Sequence, residues 1–214
     1  MRVEGRVVRK ASEAIDEAAA VEAEAAHRFV GRGALKLDHA LSIWPAAVEG
    51  RVALDIGAST GGFTEVCLER GAARVYAVDV GRGQLHPRIA ADPRVVDLSG
   101  VDARALTREI VPESPGLVVC DASFIGLAKV LPAALALAGP GADLVALIKP
   151  QFEAGPESVG KGGKVRDETV HARVLADVRA WLEGSNWSVR AVADSPIEGG
   201  EGAREHLLWA VRRP

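Results

Sequence analysis

The sequence predicts a doubly wound α/β fold, a seven-stranded, mostly parallel sheet whose last strand runs antiparallel. Three observations predict it. Short β-branched runs alternate with helix-compatible segments almost to the end of the chain. The first run stops at a Gly-rich turn that opens a helix. The last two runs are separated only by residues 194–205, too few for a crossover helix, so they are expected to pair antiparallel. With 214 residues, the chain can bury one such core without splitting into several domains.

Taken in order, residues 1–27 read as a separate front piece. It has a strand-like start over 3–8 and an Ala/Glu-rich stretch that propensity alone makes helical. A helix is expected over 33–42, with Leu35, Leu37 and Leu41 at helical spacing and Trp44-Pro45 ending it. Strands are expected at 52–56, 75–80, 95–98, 117–120, 144–148, 188–193 and 207–211, and helices near 62–70, 103–110, 126–138 and 168–184. Residues 28–214 thus form the main domain.

Composition excludes several classes. No stretch approaches the roughly 18 consecutive apolar residues of a membrane span, and the start, Met1-Arg2-Val3-Glu4-Gly5-Arg6, has no apolar core of a secretory signal. A reducing, cytoplasmic setting is expected. Cys67 and Cys120 fall in a helix and an apolar strand and read as small core residues. The five histidines show no ligand spacing, so no metal site is expected. The net charge of −3 argues against a general polyanion binder, but distribution matters more than the sum. Arg28, Arg32 and Lys36 bunch before the first domain helix. Lys161, Lys164 and Arg166 bunch in a Gly-rich loop after Lys149-Pro150. Each cluster alone is explicable as solvated surface; two clusters flanking one strand-end lysine point to a nucleic-acid contact.

The chemistry begins at Leu54-Asp55-Ile56-Gly57-Ala58-Ser59-Thr60-Gly61-Gly62-Phe63-Thr64, followed by Val75-Tyr76-Ala77-Val78-Asp79. A Gly-rich turn after one buried strand and a carboxylate at the end of the next suit a nucleoside, with the acid on the ribose hydroxyls. A dinucleotide or S-adenosylmethionine could satisfy this. The G-x-G-x-x-G that cradles a pyrophosphate is not spelled out, and Asp55 suits an ammonium and a sulfonium better than phosphates, so the methyl donor is the expected ligand. The bland alternative is a βαβ unit whose glycines only make the turn tight. Asp121 and Lys149 also stand at strand ends, where such sheets bind ligands. A lysine closing the apolar run 144–148 needs a carboxylate partner or a function, and Asp121 is the expected neighbour. A structural ion pair capping the sheet is the plain alternative. Residues 155–162 nearly spell a phosphate-binding loop, but Gly162 replaces the magnesium-binding hydroxyl and the segment does not join a strand directly to a helix.

Further motifs extend these: Gly31-Arg32-Gly33-Ala34-Leu35-Lys36-Leu37, Val78-Asp79-Val80-Gly81 with Gln84-Leu85, Asp121-Ala122-Ser123-Phe124-Ile125, Lys149-Pro150-Gln151-Phe152-Glu153-Ala154-Gly155, residues 159–167 and Ser195-Pro196-Ile197. Together, from about residue 28 to the C-terminus, they resemble the haemolysin A-like (TlyA) members of the FtsJ/RrmJ-type ribosomal RNA 2′-O-methyltransferases. The resemblance implies a Rossmann-like S-adenosylmethionine-dependent methyltransferase fold and methylation of a ribose 2′-OH, a cytidine of 16S or 23S rRNA, with rRNA or ribosomal subunits as partners. It implies a catalytic tetrad of Lys36, Asp121, Lys149 and Glu205, with Glu205 expected to reach the Lys149 head. For the donor it implies Gly57, Ser59 and Gly61 at the methionine end, Asp79 at the ribose and Asp102 at the adenine amine, with Asp121 near the amino group and the transferred methyl. A small-molecule methyltransferase and a noncatalytic RNA-binding protein are the alternatives. Lys149 is assigned to the 2′-oxygen, either as a base or as a positive charge stabilising the alkoxide. The family normally begins with an S4-like RNA-binding module, of which residues 3–10 resemble only the final portion. The haemolysin name implies membrane lysis, but nothing in the chain is amphipathic or apolar enough to insert.

Overall fold

The computed structural model describes residues 2–3, 6–7, 15, 16, 19, 21–22, 27–160 and 162–214. At the front, β1 (Arg2–Val3) pairs antiparallel with both β2 (Arg6–Val7) and β3 (Val21–Glu22) in a small three-stranded sheet. The strand-like start is therefore two strands paired with each other. Val21 and Glu22 are extended where propensity favours helix, since each pairs with β1. The rest of the Ala/Glu-rich stretch lies largely outside the described residues.

The main body follows as α1 (Ala34–Ile43), β4 (Val52–Ile56), α2 (Gly62–Glu69), β5 (Arg74–Asp79), α3 (Pro87–Ala90), β6 (Val95–Ser99), β7 (Leu117–Cys120), α4 (Leu127–Val130), α5 (Pro132–Leu137), β8 (Asp143–Ile148), α6 (Pro150–Glu153), α7 (Glu168–Gly184), β9 (Trp187–Asp194) and β10 (His206–Arg212). Trp44 ends α1 at φ −124°, ψ 144°, the extended geometry that a following proline imposes. Two helices differ from expectation. The segment 103–110 forms only a 3-10 turn at Ala103–Ala105, and Leu106 leaves it extended at φ −65°, ψ 134°. The segment 126–138 breaks into α4 and α5 at Pro132, which lacks the N–H to continue the ladder.

The seven strands run in the order β6-β5-β4-β7-β8-β10-β9. Pairings from β6 through β8 are parallel, and β10 runs antiparallel to both β8 and β9. Alternate residues of the parallel strands face opposite sides, and both sides are buried. Leu54, Ile56, Val118, Cys120 and Leu144 pack under α4, α5 and α7. Ala53, Val75, Val119, Val145 and Leu207 pack under α1 and α2 with Leu37, Val66 and Phe63. Cys67 and Cys120 are both buried and free. The strand order reverses between β4 and β7, and a crevice opens at their carboxyl ends. There the chain delivers the residues after Ile56, Asp79, Cys120 and Ile148. The antiparallel β10 starts at the same end, with His206 opposite Ile148.

Candidate active site

The turn from β4 into α2 is shaped by Gly57, at φ +81°. A Cβ there would lie 2.8 and 2.9 Å from the Cα and N of Ala122, so only glycine lets this turn rest on the chain leaving β7. Beside it Asp79 is held by two backbone amides: Ser59 N–H donates to Oδ2 at 2.9 Å and Gly81 N–H to Oδ1 at 2.8 Å. Each oxygen keeps a lone pair for a vicinal diol. These residues line a cavity of about 560 Å³ with Gly57, Asp102 and an apolar wall that includes Val80, Val101 and Ile125. Asp102 lines it too, but its carboxylate is taken by Arg104 at 2.6–3.0 Å. The Arg104 hydrogen bonds pull its pKa down to about 2.

A second cavity of about 540 Å³ shares Gly57, Ser59, Asp121, Ser123 and Phe124 with the first. It brings Lys36, Asp121, Lys149 and Glu205 together. They pair differently from expectation. Glu205 Oε2 binds Lys36 Nζ at 2.5 Å, with both side chains buried, rather than the head of Lys149. The β8–β10 register puts Glu205 beside Lys149 along the sheet edge, but α1 presents Lys36 to it first. Lys149 Nζ lies 2.7 Å from Asp121 Oδ1 and donates to the Asp121 carbonyl at 3.0 Å and to Ser123 Oγ at 2.8 Å. The site thus contains two ion pairs, each joining residues from different elements.

Asp55 and Gly61 do not line either cavity. Asp55 is fully buried, accepts the Thr64 hydroxyl on Oδ2 at 2.6 Å and leaves Oδ1 without a hydrogen-bond partner. Burial pushes its pKa up to about 7. Gly61, at φ +92°, begins α2 and faces Leu85 and Ile89 instead. Among the basic residues, Arg32 lines the second cavity, as do Gly162 and Gly163 of the loop carrying Lys164 and Arg166. Lys164 is half-buried and Arg166 exposed. Arg28 stands apart, bonded to Glu69 at 2.5 Å and 4.3 Å above the Phe29 ring. Lys161 lies outside the described residues.

Sequence reasoning missed Ser123, Phe124 and Arg104. Phe124 is 90% exposed, sits at φ +65°, touches both cavities and leans on Phe152 with centroids 5.2 Å apart. An aromatic side chain held in the left-handed region with its ring in solvent is a costly arrangement. The Asp121-Ala122-Ser123-Phe124 run was visible, but its backbone twist was not. Among the described residues no cluster of three His, Cys, Asp or Glu is placed to hold a metal, and no helix is long and apolar enough to cross a membrane.

Comparison with known proteins bears on the same geometry. The family model for FtsJ-like methyltransferases matches residues 29–212. The 16S/23S rRNA (cytidine-2′-O)-methyltransferase TlyA of Mycobacterium tuberculosis is 46% identical over 211 residues, spanning 98% of this chain and 79% of that protein. A solved structure from Streptococcus thermophilus, provisionally designated a hemolysin, superposes with a TM-score of 0.84 at 40% identity, covering 91% of this chain and 70% of that one. A Listeria monocytogenes structure provisionally assigned as an S-adenosylmethionine-dependent methyltransferase superposes at 0.64 with 13% identity, over 86% of this chain and all of that one, a likeness of fold. With the family match spanning residues 29–212 and the relative in Mycobacterium tuberculosis 46% identical, this protein belongs to the FtsJ-like methyltransferase family.

Proposed function

We propose that this protein transfers a methyl group from S-adenosylmethionine to a ribose 2′-oxygen of ribosomal RNA, at a cytidine of 16S or 23S rRNA. The observation that carries the reading is the pair of ion pairs, Lys36–Glu205 and Lys149–Asp121, facing one cavity that opens into the nucleoside crevice. The residues fit the donor. Asp79 has both oxygens pre-oriented by amides, and Gly57 leaves the turn open where a Cβ would close it. Val80, Val101 and Ile125 offer an apolar slot for a purine, and a cavity near 560 Å³ lies within the range of roughly 300–1,000 Å³ that small-molecule sites occupy. Asp79 would hold the donor ribose, Gly57 and Ser59 its methionine end. Asp102 reaches an adenine amine only by giving up part of its bond to Arg104. Asp55 acts from behind, fixing the turn through Thr64, rather than as a direct ligand.

Bound there, S-adenosylmethionine supplies a sulfonium-activated methyl group. The protein's task is to place a poor nucleophile in line with it and to manage one proton. Lys149 is the group for the 2′-oxygen. Its ammonium already makes three contacts, and the neutral Ser123 hydroxyl is the one most cheaply exchanged for the incoming oxygen. Asp121 anchors the ammonium from two sides, by carbonyl and carboxylate, which limits the positions it can take. Lys36 adds positive charge to the same cavity and is held by Glu205. Arg32, Lys164 and Arg166 are the RNA backbone contacts in this reading, and Phe124 offers an exposed ring on which a base can stack.

The test is transfer of labelled methyl from S-adenosylmethionine to 16S and 23S rRNA and to ribosomal subunits, with Lys149→Ala alongside. Alkali-resistant labelled dinucleotides, absent with the variant, are the expected result. Label on a base, or transfer undiminished in Lys149→Ala, would sink the reading.

A further inference from the structure

The structure buries a pair of histidines that the reading above does not use. His171 on α7 and His206 at the start of β10 are 4% and 3% exposed. His171 Nδ1 lies 2.9 Å from His206 Nε2. The contacts continue at both ends: His171 Nε2 is 3.0 Å from the Val165 carbonyl oxygen, and His206 Nδ1 is 2.9 Å from Asp194 Oδ1. One line of three contacts therefore runs from β9, past the strand start next to Glu205 and through α7, to the loop that places Gly162 and Gly163 on the acceptor cavity.

Counting hydrogens decides how this line behaves. Both ends accept only. A main-chain carbonyl carries no proton, and although burial raises the Asp194 carboxyl, Arg204 and His206 bring it below its ordinary value. Three contacts between two acceptors need three N–H hydrogens, and two neutral imidazoles bring two. With one further proton on the pair every contact has its hydrogen. Without it, one contact sets lone pair against lone pair and opens.

We propose that His171 and His206 are positioning residues, a strut that holds the 159–167 loop at the acceptor cavity and closes fully only when the pair carries that third proton. The proposal rests on the assignment of this cavity to the acceptor. The charged groups facing the rings are Asp194 from β9, Arg204 from the turn before β10, which also bonds Glu168 of α7, and Asp167 at the N-cap of α7. Burial holds the His206 imidazole below its usual 6.5 against the pull of Asp194. The loop thus loosens as pH rises and the third proton leaves the line.

Asp194→Asn separates this strut from mere packing. Its amide nitrogen supplies the third hydrogen, donating to His206 Nδ1, so two neutral rings complete the line at any pH. The first readout needs no acceptor: hydrogen-exchange protection of the Gly160 and Gly163 amides, which bond within the loop at 2.9 and 3.1 Å, corrected for intrinsic exchange between pH 5.5 and 8. In the wild type protection should fall about tenfold as pH rises, the worth of one hydrogen bond. Asp194→Asn should stay protected throughout, and His206→Phe, which keeps the buried volume, should be weakly protected throughout with its circular dichroism unchanged. KM for rRNA should follow protection while kcat and donor affinity stay constant. A flat wild-type profile, an Asp194→Asn profile that follows the wild type, or full protection in His206→Phe would overturn the proposal. If protection behaves as expected and no RNA is methylated, the strut stands and the acceptor assignment falls.

Discussion

The buried pair Lys36–Glu205 gives the sharpest energetic prediction. The two side chains are 6% and 3% exposed, so each charge depends on the other. Unit charges about 3 Å apart at an effective dielectric of about 20 attract by roughly 5–6 kcal/mol gross. Desolvation of both groups cancels much of this, and breaking such a pair from one side typically costs about 3–5 kcal/mol because a charge is left buried alone. Both residues line a cavity that admits water, so we place Lys36→Met and Glu205→Gln each near 3 kcal/mol, at the lower edge. Lys36→Met/Glu205→Gln removes both charges and should lose only about 3 kcal/mol, no more than either single variant and about half of the roughly 6 kcal/mol that simple addition gives, a coupling of about 3 kcal/mol. Urea unfolding of the four proteins measures the cycle through the midpoint at constant m. Donor binding should survive in all three variants, since neither residue lines the nucleoside crevice, while methyl transfer should fall in all three. A Lys36→Met protein within 0.5 kcal/mol of the wild type, or a double variant as unstable as the two single losses added together, would refute the argument.

Four further outcomes follow from the site. Lys149→Gln should lose about 10²–10⁴-fold in kcat with donor affinity kept, measured by single turnover and calorimetry; a smaller loss would remove Lys149 from the reacting oxygen. Asp79→Ala should weaken donor binding by about 10–100-fold with little change in kcat, because charge-assisted bonds to the ribose are lost. Burial raises the Asp55 carboxyl from 3.8 to about 7, so between those values the unfolded chain is ionised while the folded chain keeps the proton. Stability contributed by this group is therefore fully present below 3.8 and declines by roughly 4 kcal/mol as pH rises to 7; Asp55→Asn should flatten that slope in unfolding measured at pH 5 and pH 8. Phe124→Ala should raise KM for RNA about tenfold, the worth of one stacked base, with the melting temperature unmoved, since the ring is 90% exposed.

The fold could be read from the chain because its causes are local and periodic. Buried parallel strands leave apolar β-branched runs such as those at β4 and β8, and residues 194–205 are too few to cross the sheet, which alone forces β10 antiparallel. Where expectation and structure differ, a neighbour far along the chain or a single backbone angle decides. Pro132 splits one helix in two, and pairing with β1 draws Val21 and Glu22 out of helix.

The residue types of the candidate site were equally visible, since strand ends in such a sheet gather at one crevice and the chain places Asp79, Asp121 and Lys149 there. Their partners were not. Which carboxylate takes which lysine depends on where α1 brings Lys36 relative to Glu205, 169 residues away, and charge alone cannot choose between two nearly equal pairings. The left-handed backbone at Phe124, the burial of Asp55 between β4 and α2, and the three-contact line that joins β9, β10 and α7 through His171 and His206 arise only once the elements are packed. The sheet, the crevice at its carboxyl ends and the residue types that stand there were legible in the chain, because these follow from patterns a few residues long. The ion pairing, the exposure and the contacts of the buried histidines were not, because those are set by distances between elements that folding brings together from far along the chain.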